Sequence, residues 1–188
     1  MKKRHLKTPC GKAAGSLNAR NIFHYIHSLS PRQDHGEYAR YPFIFFLISL
    51  FIFALDQFTK YFIKTHVGPF DVVRVTSFFN IVYVLNTGSA FGMFRSLDNL
   101  FFIIIALSAI ALLIFLIIKD SHNRFPFALI LGGAAGNLAD RILLGHVIDF
   151  LDFYVGSHHW PSFNVADSSL TIGISLLLIK TVFEKKTF

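Results

Sequence analysis

From Leu100 to Ile118 the chain carries no charged residue, and the polar cluster Lys119-Asp120-Ser121-His122-Asn123-Arg124 closes that run abruptly. A helix that crosses the ~30 Å hydrocarbon core needs about 20 such residues, and within it every backbone polar group must be satisfied by the helix itself. One run of this kind already directs the chain to a membrane fold, and three more accompany it. Tyr41 to Thr59 is apolar with Asp56 as its only charge. Phe125 to Ala139 is apolar or small, and the run continues past Asp140 and Arg141 through Leu144 to Gly145, a helix stop. The last run begins near Phe163, just after Pro161, and leaves the apolar region at Lys180 and Glu184-Lys185-Lys186. The fold class predicted is an all-α membrane protein with four transmembrane helices.

Charge fixes the expected orientation. Lys2, Lys3, Arg4, Lys7, Lys12, Arg20, Arg32 and Arg40 precede the first run, the 119–124 loop adds Lys119 and Arg124, and the C-terminus adds Lys180, Lys185 and Lys186. Positive loops stay cytoplasmic, so both termini are expected inside. A net charge of +7 also fits nucleic-acid binding, but such binders carry it on a soluble polar face, whereas here it flanks apolar runs; no nucleic-acid partner is expected. Residues 1–40 read as a basic cytoplasmic tail with too little apolar content to order itself, an organellar transit peptide or an early start being the other readings. Residues 41–188 form the membrane domain. Cys10, the single cysteine, excludes an internal disulfide and a CxxC metal site.

Between the first two runs, the region of about 65–97 contains Val72-Val73-Arg74-Val75-Thr76 and Phe78-Phe79-Asn80-Ile81-Val82-Tyr83-Val84. β-branched and aromatic residues with polar interruptions predict short strands, hence a small β-rich cradle outside the membrane. Tyr154 to Ser162 reads as an external loop, with Trp160 at the interface.

With this topology the unusual polar residues meet at one membrane face. Asp56 falls at the outer end of the first span, Asn137, Asp140 and Arg141 at the outer end of the third, Asp149 and Asp152 in the following loop, and Asn164 and Asp167 at the start of the fourth. Ionisable groups at membrane depth cost a few kcal/mol each and usually mark a function. No GxSxG, no Cys beside a His and no Ser-Lys pair offers nucleophilic chemistry. Two adjoining carboxylates, by contrast, cannot both ionise easily, so one keeps its proton while the other acts as base toward water.

Plainer readings exist for each piece. Asn164 to Asp167 has the spacing of a helix N-cap with an acid at N3. Asp56 and Lys60 are i,i+4 ion-pair partners, Asp140-Arg141 an interfacial charge pair, and Gly132, Gly133 and Gly136 a surface for close helix approach. His146, Asp149, His158 and His159 make a weaker metal candidate without HExxH-type spacing. Asn137-x-x-Asp140 repeats the spacing of Asn164-x-x-Asp167, so residue spacing leaves Asp140 and Asp149 as rivals for the partner of Asp167. A proton-coupled carrier is the alternative function, and a non-catalytic membrane scaffold a third.

Five blocks in order carry a resemblance: Asp56-Gln57-Phe58-Thr59-Lys60; Asn86-Thr87-Gly88-Ser89-Ala90-Phe91; Gly132-Gly133-Ala134-Ala135-Gly136-Asn137-Leu138-Ala139-Asp140-Arg141; Gly145-His146-Val147-Ile148-Asp149-Phe150; and Trp160-Pro161-Ser162-Phe163-Asn164-Val165-Ala166-Asp167-Ser168. From about residue 42 onward the chain resembles the lipoprotein signal peptidase family, also called signal peptidase II. The resemblance implies four transmembrane helices with a β-rich extracytoplasmic cradle in the bacterial inner membrane. It also implies cleavage of diacylglyceryl-modified prolipoproteins before the lipid-modified cysteine, by an aspartate dyad with no metal or organic cofactor. By motif the dyad is Asp149 and Asp167; Asp56, Lys60, Asn86, Gly88, Asn137, Asp140, Arg141 and Asn164 match supporting positions. The protein is expected to act as a monomer against membrane lipid. The long tail and Ser89, where alanine is common, depart from the family pattern.

Overall fold

The structure, a computed structural model, describes residues 41–69, 71–87 and 99–184. The tail 1–40 and Gly88 lie outside the described residues, as do residues 88–97 of the expected β-region. Helix α1 spans Pro42–His66, α2 Asn99–Lys119, α3 Arg124–Leu143 and α4 Val165–Glu184. Strands β1 (Val72–Arg74) and β2 (Phe79–Asn86) lie between α1 and α2, and β3 (Val147–Val155) and β4 (His158–His159) between α3 and α4.

Among the described residues three helices are long and apolar enough to cross a membrane: Pro42–His66, Asn99–Lys119 and Val165–Phe183. Leu50, Phe51, Phe58 and Tyr61 on α1, Leu100 and Phe115 on α2 and Leu178 on α4 are exposed large apolar side chains, which is the surface a helix turns to lipid. Helix α3 is built differently. It buries residues along its whole length, from Pro126 to Asp140, and its glycines admit the neighbouring helices. A Cβ on Gly132 would stand 2.7 Å from the Ser49 carbonyl oxygen of α1, and one on Gly133 2.5 Å from the Ala166 carbonyl oxygen of α4. The small residues of the third run therefore do what close helix packing requires.

Polarity separates the two ends of the bundle. At one, Arg124 Nε donates to the Ile117 carbonyl at 2.8 Å, satisfying an end carbonyl of α2. Nearby, Lys180 Nζ donates to the His122 carbonyl (2.8 Å) and Asn123 Oδ1 (3.0 Å). An apolar core of Leu113, Ile117, Phe127 and Leu131, covered by Phe45, Phe46 and Leu177, adjoins this end. The start of α1, the end of α2, the start of α3 and the end of α4 thus share it. The opposite end carries the buried acids and the sheet.

The four strands form one antiparallel series, β1-β2-β3-β4. Pairing of β2 with β3 runs from Phe79↔Phe153 to Asn86↔Val147, with an irregularity between Ile81 and Val84. Ile63 and Val67 from the end of α1 pack with Ile148 and Phe150 of β3, which seats the sheet on the bundle.

Three boundaries differ from the sequence reading. The first helix does not end at Thr59 but continues to His66, because its polar residues are satisfied locally: Thr59 Oγ1 bonds the Leu55 carbonyl at 2.9 Å, and Lys60 pairs with Asp56 at 2.8 Å. Asp56 therefore sits about 15 Å before the helix end at 1.5 Å per residue, and is wholly buried rather than terminal. Asp149 and Asp152 are not in a loop but in β3. The Tyr154–Ser162 segment is likewise no open loop. It closes a hairpin at Gly156 (φ 61°) and returns along β3 through Tyr154↔His159 and the bridge Leu151↔Phe163. The strand partners of Asp149 and Asp152 are Val84 and Asn80 of β2, far upstream in the chain, where local sequence patterning cannot register them.

Candidate active site

Helix α3 ends at Leu143, and Gly145 (φ +80°) reverses the chain; a left-handed residue there costs glycine nothing. Strand β3 follows at once, so Asp149 comes back over the bundle end, 2% exposed. The hairpin then returns the chain to Asn164, whose Oδ1 accepts the backbone N–H of Asp167 at 2.8 Å. That is the N-cap the spacing predicted, and it fixes Asp167 in the first turn of α4.

Three asparagines hold the acids. Asn164 Nδ2 donates to Asp149 Oδ1 at 2.7 Å and to the Ile148 carbonyl at 3.2 Å. Asn86 Nδ2 reaches Asp149 Oδ2 at 2.9 Å from β2, and Asn137 Nδ2 reaches Asp167 Oδ1 at 2.7 Å from α3. Asp149 stands well above the ordinary carboxylate range, pushed up to about 7 by burial and then by the adjoining Asp167 charge, against the lowering effects of Asn86, Asn164 and Lys60. A carboxyl poised near neutrality beside a second carboxyl can hold or take a proton at working pH.

Below this pair lies a buried ionic group. Lys60 Nζ is 2.8 Å from Asp56 Oδ2, 2.9 Å from Asp140 Oδ2 and 3.0 Å from Asn137 Oδ1. Asp56 Oδ1 also accepts the Ala166 backbone N–H at 2.9 Å, a free donor at the start of α4. Asp140 Oδ2 accepts the Ile148 N–H at 3.2 Å. Gln57 was not singled out by the sequence, yet its Nε2 bonds Asp140 Oδ1 (3.0 Å), Asp56 Oδ2 (3.2 Å) and the Gly136 carbonyl (3.2 Å). Its position next to Asp56 in the first block was the available signal.

One expected pairing is corrected, and the weaker metal candidate is not assembled. The cation held by Asp140 is Lys60 and not the adjoining Arg141, since neighbours in a helix point to different faces. Arg141 Nη1 bonds the Asn137 carbonyl at 3.3 Å and its guanidinium lies over the Phe102 ring, 5.4 Å from its centre. His159 faces Asp152, with Nδ1 2.9 Å from Oδ1, rather than Asp149; Asn80 Nδ2 holds the other Asp152 oxygen at 2.9 Å. Among the described residues no three His, Cys, Asp or Glu side chains are grouped to hold a metal ion.

A buried and a half-buried carboxyl group, each met by amide donors at one end of a membrane helix bundle, narrow the chemistry; comparison with known proteins decides the family. A profile described as Signal peptidase (SPase) II matches residues 48–183. The chain belongs to the signal peptidase II family. It is 48% identical over 136 residues to the lipoprotein signal peptidase of Thermodesulfovibrio yellowstonii, covering 72% of this chain and 92% of that one. It is 45% identical over 150 residues to that of Francisella tularensis subsp. novicida, covering 76% and 93%. A bacterial membrane enzyme solved by the in meso method superposes with a TM-score of 0.70 at 36% identity, over 76% of this chain and 89% of that one. A second such structure gives 0.67 at 37% identity, over 73% and 92%. Every described site residue named above lies inside the stretch that matches the signal peptidase II profile.

Proposed function

We propose that this chain removes signal peptides from prolipoproteins, and that it does so as an aspartic endopeptidase with Asp149 and Asp167 as its dyad. Membership of the signal peptidase II family and similarity to lipoprotein signal peptidases support the reaction. The observation that carries the residue assignment is the pair of amide-bonded acids, Asp149 with Asn86 and Asn164 and Asp167 with Asn137. The rival Asp140 is engaged by Lys60, Gln57 and a backbone N–H, which suits a fixed anion better than a proton carrier.

In this mechanism the dyad shares one proton and activates one water. One acid takes the water proton as the oxygen attacks the scissile carbonyl, and the other donates its proton to the carbonyl oxygen; the first acid then passes its proton to the leaving amine while the second takes one back from the diol hydroxyl, as the C–N bond breaks and the carbonyl re-forms. The substrate is a prolipoprotein carrying a diacylglyceryl-modified cysteine and cut just before it, reaching the site from the lipid. The exposed edge and apolar side chains of the sheet, among them Val73 and Val84, would hold its extended backbone. Helix α3 is the fourth span, its composition relaxed because neighbouring helices rather than lipid cover it. The enzyme acts as a monomer in the bacterial inner membrane, with both termini inside and the dyad near the outer face. A proton-coupled carrier fits less well, because the acids gather at one end of the bundle instead of lining a path through it.

The test is cleavage of a diacylglyceryl-modified prolipoprotein by purified protein in detergent. Asp149→Asn and Asp167→Asn should each lower kcat by at least about 10³-fold while remaining folded, and Asp140→Asn should retain measurable activity. Normal cleavage by Asp149→Asn with none by Asp140→Asn would replace Asp149 by Asp140 in the dyad.

A further inference from the structure

An asparagine amide has an accepting and a donating end, and at this site the choice between them is made by groups of only one polarity. Lys60 carries three N–H donors and accepts nothing, and its three neighbours are Asp56 Oδ2, Asp140 Oδ2 and Asn137 Oδ1. The end of Asn137 that faces it must therefore be the oxygen, which leaves Nδ2 toward Asp167 Oδ1 at 2.7 Å. In Asn164 the backbone N–H of Asp167 plays the same part. It takes Oδ1 at 2.8 Å, so Nδ2 is turned to Asp149 Oδ1. The two amides also touch: Asn164 Nδ2 lies 3.3 Å from Asn137 Oδ1, the atom Lys60 holds.

We infer that Lys60 is a positioning residue for the dyad, acting through Asn137: it fixes the polarity of that amide, as the Asp167 N–H fixes that of Asn164, so that both acids are met by N–H donors. The inference rests on the reading of Asp149 and Asp167 as the dyad. It differs from a structural role, in which Lys60 merely ties α1 to α3. Breaking an ion pair of that kind lowers stability and shifts the ionisation of the acids only through the lost charge, which the charge-conserving Asp56→Asn/Lys60→Met variant leaves unchanged. Fixed amide polarity instead enters the titration of the site.

The charged groups that act on Asp149 are Asp167 on α4, Lys60 on α1 and Arg141 on α3, while Asp56 and Asp140 are paired with Lys60; Asp152, on its own strand, is turned to Asn80 and His159. Lys60→Met removes a cation that favours the Asp149 carboxylate and lets the Asn137 amide rotate. Asp149 then binds its proton at higher pH, so the acid limb of the kcat–pH profile moves upward.

The experiment measures kcat, KM and thermal unfolding across pH for the full chain in detergent, with a diacylglyceryl-modified prolipoprotein as substrate. Lys60→Met should move the acid limb up by about one unit or more, lower kcat at neutral pH at least about tenfold and change KM less. Its kcat loss should be strongly non-additive with that of Asn137→Ala, because the two share one pathway. Should Lys60→Met fail to fold, Asp56→Asn/Lys60→Met keeps the net charge of the buried triad and should show the same limb shift. An unmoved limb, or additive kcat losses with Asn137→Ala, overturns the positioning role. Measuring Asp149→Asn and Asp167→Asn alongside separates the two failures: if both are inactive while the Lys60→Met limb is unmoved, only the inference fails, whereas activity in either overturns the dyad itself.

Discussion

Asp149 is a carboxyl whose folded state favours the proton, and the sign of its effect on stability follows. Its value of about 7 lies above the ordinary 3.8, so between those two values the native state binds more protons than the unfolded state. Stability therefore falls as pH rises through that window. Asp149→Asn removes the titration. The slope of melting temperature against pH between about 4 and 7 should flatten, and the variant should melt no lower than wild type at pH 8; thermal scans in detergent check both. A variant that melts well below wild type at pH 8 would mean that the carboxylate is held by more than its two amide donors. The same scale explains Gly136: a Cβ there would stand 2.5 Å from Asp56 Oδ2. Gly136→Ala should displace Asp56 from Lys60 and the start of α4, costing about 1–3 kcal/mol of stability together with activity.

Helix α3 is the element on which the others depend. It gives its glycines to α1 and α4, its start to the loop below α2, and its end to the acids. Arg124 is buried and its guanidinium serves two end carbonyls of α2, those of Ile117 and Ile118. Arg124→Ala should therefore loosen α2 against α3, costing about 1–3 kcal/mol for the carbonyls left unsatisfied. Denaturant unfolding would show it as a lowered midpoint, while kcat of the folded fraction stays within about twofold because Arg124 lies at the opposite end of α3 from Asp140. The apolar runs made this element and its neighbours legible to within a few residues. Polar residues inside a helix, such as Gln57 and Lys60, imitate an ending when their partners on another helix are not yet known, and the first helix was accordingly read as stopping at Thr59.

On the scale of the whole molecule, the two acids are joined by the hairpin between β3 and β4. Its register fixes which residue of the returning strand stands beside Asp149: Tyr154 pairs with His159, Leu151 with Phe163, and Asn164 then reaches Asp149. Inserting one residue between Trp160 and Phe163 should shift that register and abolish cleavage, since a one-residue slip turns every later side chain to the other face. An insertion at the exposed turn of Gly156 and Ser157 should be tolerated, with cleavage assays on both variants as the check. The membrane class, the helices and the motif blocks were determined by the sequence alone, because lipid imposes a length and a polarity on each span that no partner is needed to reveal. Asp149, Asp167 and the asparagines were legible through the resemblance of their blocks to a known family, whereas spacing alone left Asp140 as a rival of Asp149. The partnership of Lys60 with Asp140, the strand identity of Asp149 and the polarity of the asparagine pair were decided only by the tertiary structure. Each depends on which distant group occupies a neighbouring position, and a buried polar atom takes its role from the donor or acceptor that packing brings to it.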